Sequence, residues 1–405
     1  MTRFIRMRIL LLVLLSHLLI VTSIQAEPVK LAVLLPLSNV RKDIGQRVKQ
    51  GFLLGIQEEV AAHQVPWDAW VTFDFLDNRS DKDYSLQLAK EAIANGAQAI
   101  LGPANSSGVC LNLQDYVLNE AQVPFILFAG CVSTKLRTTH PLFIRLTRSV
   151  PLLMTGLSQW LTEHPPVPRE KPRWTCVHPD YVWGVGVCDG FNRAYGSVGE
   201  EIGRIPSPQK TVKKKRELVQ LAKLKPDFAL AAFVGAEAEV FIKDYYRFKV
   251  HETIPLVTAA VSAVSPPRLQ AYEKTLEQYG TGVGILNAAD YALTADHAAN
   301  THFVSRYQET YQTQPDPFSV WGYDGGRLLA KALIERQGQW DGAQVVKLMK
   351  TLPYTSPKQN QPVKFDSHGD MINAVYIFKT QRDGNRLINP MIGKVPPINM
   401  DEMLK

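Results

Sequence analysis

The segment Gly102-Pro103-Ala104-Asn105-Ser106-Ser107-Gly108 has the residue types and spacing for anion chemistry. It joins a short apolar stretch, 97–101, to a helical stretch, 106–121. A serine at such a boundary caps the helix, and the unpaired N–H groups of the first turn attract negative charge. A carboxylate there accepts from the Ser106 hydroxyl and from one or two amides, each charge-assisted bond contributing about 1.5–3 kcal/mol. The simpler reading is that Ser106 caps its own helix and nothing more.

Residues for covalent or metal chemistry are not arranged to perform it. The sequence contains no GxSxG elbow, HExxH pair or phosphate loop; Gly393-Lys394 lacks the upstream glycine and the following Ser or Thr. Gly184-Val185-Gly186 is followed by Gly190 rather than a glycine at 189, which breaks the dinucleotide pattern. His297 and His302 are five apart and do not share a helical face, and no CxxC occurs. Asp366, His368 and Asp370 suggest a metal site on paper, but a tight turn through Gly369 explains them more simply. Neither an enzyme, a metal nor a cofactor is expected.

The elements that position these residues come from a chain of 405 residues, 45% hydrophobic and 20% charged, a globular composition that excludes disorder. Arg3, Arg6 and Arg8 precede an apolar run over 9–21, interrupted by His17, and a polar stretch ends at Ile24-Gln25-Ala26. This is the pattern of a secretory signal peptide, 1–26, with the mature chain beginning near Glu27. An uncleaved anchor is the alternative, but the run is shorter than the ~20 residues a membrane span requires. The first cysteine is Cys110, so none stands at the cleavage point to carry a lipid. Loss of three arginines and no acids lowers the formal charge from +7 to +4, too little to argue for nucleic acid. Lys213-Lys214-Lys215-Arg216 precedes a helical pattern and reads as a solvated helix start, with electrostatic contact to a membrane or partner as the alternative. Four cysteines in an exported chain allow three full pairings.

Beyond residue 27, strand-like and helix-like segments alternate. Val29–Leu35 is nearly continuous in apolar residues, as a strand buried on both faces of a parallel sheet must be. Helical patterns follow at 45–61, 84–95 and 106–121, and strands at 70–76, 97–101 and 123–128. A second series begins after Phe143-Ile144-Arg145, and helices at 297–312 and 320–337 return to the first pattern. This order calls for α/β architecture with right-handed crossovers.

Several motifs occur in a familiar order: Pro36-Leu37-Ser38, Gly45, Asp77, the Gly102–Ser107 loop, Val123-Pro124, Asp180-Tyr181-Val182-Trp183-Gly184, Lys225-Pro226-Asp227 and Val320-Trp321-Gly322-Tyr323-Asp324. Together they resemble the leucine/isoleucine/valine-binding type of periplasmic substrate-binding protein, which serves ABC importers. The resemblance spans 29–378 and implies a type I periplasmic-binding fold: two Rossmann-like lobes with parallel sheets, joined by three crossings, with ligand in the cleft between them. The crossings are implied near 146–149, 289–292 and 357–363. The lobes are then 27–146 with 290–356, and 147–289 with 357–405. It also implies ligand contacts from Ser106, Ser107, Ala129, Cys131, Tyr181, Trp183 and Gly235. On that fold the local pairs Cys110 with Cys131 and Cys176 with Cys188 are favoured as disulfides.

The departures bear on the ligand. Amino-acid binders of this type hold the ligand ammonium with a carboxylate where this chain has Thr258-Ala259-Ala260-Val261. Their tyrosines fall at Ile44-Gly45 and around Val234-Gly235. A buried ammonium without its partner loses roughly 3–5 kcal/mol, so an acid lacking an amine, an amide or an apolar acid fits better. The resemblance implies a monomeric periplasmic protein with a small-molecule ligand and ABC permease subunits as partners, or alternatively the sensing subunit of a membrane receptor.

Overall fold

A computed structural model describes residues 27–103, 107–128, 130–131, 133–208, 213–259, 269–270, 273 and 283–403. Two sheets organise the chain. The first has the order β2-β1-β3-β4-β5, from β1 (Val29–Leu35), β2 (Val71–Asp77), β3 (Ile100–Gly102), β4 (Phe125–Leu127) and β5 (Phe143–Arg145), all parallel. Strand β1 shows why its sequence is continuously apolar. Leu31, Val33 and Leu35 enter one core, while Ala32 and Leu34 enter another on the opposite face.

The second sheet is built around β6 (Arg173–Pro179), β7 (Glu200–Ser207), β8 (Phe228–Ala231), β9 (Leu256–Thr258) and β10 (Leu286–Ala289). These run parallel in the order β7-β6-β8-β9-β10. After β11 (Lys364–Phe365), the long strand β12 (Met371–Lys379) adds antiparallel to β10, and past the β13 (Gln381–Asp383) and β14 (Arg386–Ile388) hairpin, β15 (Met391–Ile398) joins β12. Strand β7 has no counterpart in the sequence reading. It is an edge strand rich in charge, Glu200-Glu201-Ile202-Gly203-Arg204, and so lacks the apolar run that marks its neighbours.

Helices α1 (Lys42–His63), α2 (Lys82–Ala94) and α3 (Ser107–Asp115) belong to the first lobe, and α4 (Val150–Glu163), α5 (Val182–Tyr195), α6 (Lys215–Leu224) and α7 (Gly235–Arg247) to the second. Helices α8 (Ala298–Tyr311), α9 (Pro317–Glu335) and α10 (Gly342–Thr351) return to the first. Helix α9 lies directly on α1 because glycines face each other. A Cβ on Gly51 would stand 1.9 Å from the Ser319 carbonyl oxygen, and one on Gly322 would stand 2.1 Å from that of Val48. No helix among the described residues is long and apolar enough to cross a membrane.

The chain first leaves one lobe for the other between Leu146, in the first core, and Val150, in the second. It returns after Ala288, with Tyr291 already packed among the first-lobe helices. The third passage lies further along than the expected 357–363. Val363, Phe365 and Met371 still pack in the first core, and Val375 is the next residue in the second. The reason is that β12 is one continuous strand whose start pairs with β11 before its remainder joins the second sheet.

A charged pair joins the first two passages, and Lys358 and Tyr376 tie the first and third to the segment between them. Arg148 reaches Asp290 (3.0 Å), and the Trp321 indole donates to the other Asp290 oxygen (2.8 Å). Lys358 donates to the Leu146 carbonyl (2.7 Å) and pairs with Asp324 (3.0 Å), which also accepts from Tyr354 and Ser356. The Tyr376 hydroxyl of β12 donates to the Lys358 carbonyl (2.8 Å). Asp290, Asp324 and Lys358 are wholly buried. Lys358→Met should therefore destabilise the protein by about 3–5 kcal/mol, since it leaves buried carboxylates uncompensated. Urea unfolding checks this; a loss below about 1 kcal/mol, the range of an exposed pair, would contradict it.

Candidate functional site

In parallel α/β sheets, ligand-binding loops gather beyond the carboxyl ends of the strands. Each lobe presents such an edge, and the two share a construction. Pro36 follows β1 and Pro179 ends β6, and the following helix packs a glycine on each proline carbonyl. A Cβ on Gly45 would lie 2.0 Å from the Pro36 oxygen, and one on Gly184 2.2 Å from that of Pro179. At the end of β2, Asp77 accepts hydrogen bonds from the Leu37 and Arg79 amides (2.8 and 3.1 Å), tying two edge loops together. Burial pushes the Asp77 carboxyl up, but bonds from Ser38, Leu37 and Arg79 outweigh it and hold it below the usual range.

On the first lobe, β3 ends at Gly102 with φ +93°, and α3 opens at Ser107, which is buried. Ser106 and Ala129 lie outside the described residues. Cys131 sits with φ +56° in the loop after β4 and is disulfide-bonded to Cys110 of α3, with Cα atoms 5.7 Å apart. The second pair, Cys176 with Cys188, joins β6 to α5 (Cα separation 5.9 Å). Both favoured pairings are thus formed.

Two side chains that the sequence reading missed hold the Cys131 loop from beneath. Arg145, wholly buried, donates to the Cys131 carbonyl (3.0 Å) and the Ser133 carbonyl (2.8 Å), and grips Asp370 through two bonds of 2.7 and 2.6 Å. Thr147 donates to the Gly130 carbonyl (2.7 Å). Across a trans peptide, C=O and the next N–H point in opposite directions. With the Gly130 oxygen drawn toward Thr147, the Cys131 N–H points away from it.

Asp366, His368 and Asp401 are close enough to suggest a metal site. A guanidinium already serves them. Arg137 donates to Asp366 and Asp370 (2.8 Å each) and to Asp401 (2.7 Å), and lies 2.9 Å from His368 Nδ1. Asp366 also accepts from the His368 and Asp370 amides, closing the turn expected at Gly369, whose φ is +73°. Burial raises Asp401, yet bonds from Ser367 and His368 and the charge of Arg137 bring it down to about 2.

On the second lobe, Tyr181 precedes α5 and stacks on Trp183 (centroids 6.3 Å apart, planes 27° apart). Trp183 is half-buried against the second core. Burial pushes the Tyr181 hydroxyl up to about 12, with Arg41 pulling it down and Glu237 pushing it up. Arg41 belongs to the turn Asn39–Arg41 of the first lobe and Glu237 to the first turn of α7, and beside them α3 of the first lobe comes up against α5 of the second. Gly235 opens α7 with φ +59°, and a Cβ there would meet nothing within 4 Å. Neither α5 nor α7 has a side-chain cap, unlike α2, α4, α8, α9 and α10.

The basic run was misread in one respect. Lys214 is fully buried: its ammonium donates to Ser207 (2.8 Å), lies 3.9 Å from Glu237 and sits over the Phe233 ring at 4.8 Å. Nothing in four consecutive cations distinguishes the one that turns inward.

Replacing Cys110 and Cys131 together by alanine should cost about 3 kcal/mol and speed amide exchange at Gly130 and Cys131. Replacing Cys176 and Cys188 should cost a similar amount and leave exchange at Gly130 and Cys131 unchanged. Equal acceleration at those amides in both variants would show that the first disulfide does not hold the loop.

A family model described as periplasmic binding protein matches residues 28–385. No curated protein matches the chain. Among solved structures, a solute binding protein of an ABC transporter from R. palustris in complex with benzoate is 22% identical, with a TM-score of 0.77 over 92% of this chain and 98% of that one. Another from R. palustris, in complex with 4-hydroxybenzoate, is 20% identical at a TM-score of 0.78, with the same coverage. A leucine binding protein from Thermotoga maritima is 19% identical at 0.73, over 91% of this chain and 99% of that one. The likeness to these structures is one of fold, the type I periplasmic-binding fold implied by the sequence. With the family model spanning most of its length, the chain belongs to the periplasmic binding protein family.

Proposed function

We propose that this protein is the non-catalytic, monomeric solute-binding component of an ABC importer, taking a small carboxylate with an apolar remainder. The observation that carries the reading is the approach of two unlike edges: α3, opening at Ser107 on the first lobe, comes up against α5, which the Tyr181–Trp183 pair opens on the second. Oriented donors near Ser106, Ser107, Ala129 and Cys131 take the carboxylate, because charge-assisted bonds form there without reorganising the loop. The second lobe then closes over the apolar part with Tyr181, Trp183 and the open backbone at Gly235. Ligand favours the state in which both lobes touch it, which is how binding shifts a hinge equilibrium. Only that closed surface fits a permease, so occupancy is coupled to delivery. The arginine-led N-terminus, 1–26, supports export and release near Glu27 into the periplasm.

Neighbouring folds that hold benzoate and 4-hydroxybenzoate make aromatic acids the first probes. The absence of an acid in Thr258-Ala259-Ala260-Val261 argues against an α-amino acid. In a thermal-shift and calorimetric screen, an amine-free acid at 100 times its dissociation constant should stabilise the protein by about 2.7 kcal/mol. Ser106→Ala should weaken that acid by about 1.5–3 kcal/mol, tenfold or more. Leucine binding more tightly than every amine-free acid would overturn the ligand class. An unchanged affinity in Ser106→Ala would leave the serine as a helix cap only.

A further inference from the structure

The basic run at the start of α6 meets the end of α7 on the outer face of the second lobe. We propose that this surface, Lys215, Val219 and Lys223 beside Arg247 and Phe248, docks the lobe onto a membrane rich in anionic phospholipid. Two helices pinned together build it. The Lys214 amide donates to Asp244 of α7 (2.8 Å), and Leu218 and Leu221 pack with Phe241 and Tyr245 in one core. Residues four apart share a helical face, so Lys215, Val219 and Lys223 form a stripe on the outward side of α6, and all three are exposed. At the end of α7, Phe248 is 38% exposed. Two cations stand over its ring, Lys215 of α6 at 5.8 Å and Arg247 at 5.5 Å. A helix rises 1.5 Å per residue, which puts Phe248 about 20 Å along α7 from the edge that opens at Gly235. Docking there leaves the cleft free.

Charge and apolarity together select the occupant. From 213 to 225 the one acid is Glu217, which is buried and paired with Arg216. Over 243–252, Asp244 is buried and Glu252 pairs with Lys249. Lys213, Lys215, Lys223, Lys225 and Arg247 are exposed and form no ion pair among the described residues. An ordinary solvated face intersperses both signs, and an exposed phenylalanine gains nothing from water. A face of cations that also presents apolar side chains suits the headgroup layer, where phosphates pair with the cations and the ring enters the acyl boundary. A soluble polyanion would use the cations alone and leave Val219 and Phe248 in water. For the importer proposed above, docking of this kind holds the protein near the membrane that carries its permease.

Flotation of the chain from Glu27 onward with phosphatidylcholine vesicles, with and without phosphatidylglycerol, tests this. Binding should require phosphatidylglycerol and fall steeply between about 0.1 M and 1 M salt, as the screening length drops from ~10 Å to ~3 Å. Lys215→Gln with Lys223→Gln should weaken it about tenfold or more. Phe248→Ala should weaken it severalfold while its dependence on salt is kept. Both variants should retain the wild-type thermal midpoint, since the replaced side chains are exposed. Equal binding to both vesicles, or binding to neither, would overturn the proposal. So would an equal loss when the exposed Lys82 and Lys347 of the first lobe are changed to Gln instead, which would trace binding to total charge. Undiminished binding by Phe248→Ala would overturn it as well, leaving a cation patch for any polyanion.

Discussion

Buried charge at the passage between the lobes is the constraint around which the molecule is arranged. Arg148 and Asp290 come from the first two crossings, Lys358 from the first-lobe segment that leads into β11 and β12, and Asp324 from α9 of the first lobe. Such a cluster is a poor source of net stability, because removing its charges from water offsets much of their attraction. Its geometric demands are strict, however: each oxygen and ammonium must meet its partner within hydrogen-bond distance. That holds the three strands of the hinge in register. The closure proposed above would turn one lobe about this point without the crossings sliding past one another. Lys358 also binds the Leu146 carbonyl, immediately beyond the strand that carries Arg145. The hinge and the loop at Cys131 are therefore anchored to neighbouring residues of one chain segment.

From that pivot outward the lobes divide the work of a binding cleft. In the proposed reading the first supplies the donors. A disulfide, a buried arginine and a threonine fix the Cys131 loop, and glycine-mediated contact between α1 and α9 stiffens the lobe behind it. The second offers an aromatic pair and a helix start free of side-chain caps. Rigid donors suit a charged group whose position is fixed, and a stacked aromatic surface tolerates variation in the apolar remainder.

Much of this was legible in the sequence. A continuous apolar run at β1 announced a strand buried on both faces, and the helical periods at α1, α2 and α9 were clear. The turn at Gly369 followed from residue type alone. What escaped has physical causes. Strand β7 is charged because it lies at an edge, so no pattern marked it. The third crossing was misplaced because β12 serves both lobes without a break. Gly51 with Gly55 and Gly322 with Gly326 are spaced by four, a signal of close helix contact that could have been read but was not. Arg145 and Lys214 could not have been singled out, because a charged residue is usually solvated and only tertiary packing decides which is not. Ser106 and Ala129 were named on the sequence and lie outside the described residues.

The central claim is that a ligand carboxylate draws the two lobes together about the buried hinge. Small-angle X-ray scattering during titration with benzoate tests it most directly. The account predicts a radius of gyration that falls with occupancy and saturates at the stoichiometric point. It also predicts that Trp183→Ala, still binding more weakly at the first lobe, contracts less at full occupancy. Saturable benzoate binding with an unchanged radius of gyration would contradict closure as the coupling mechanism.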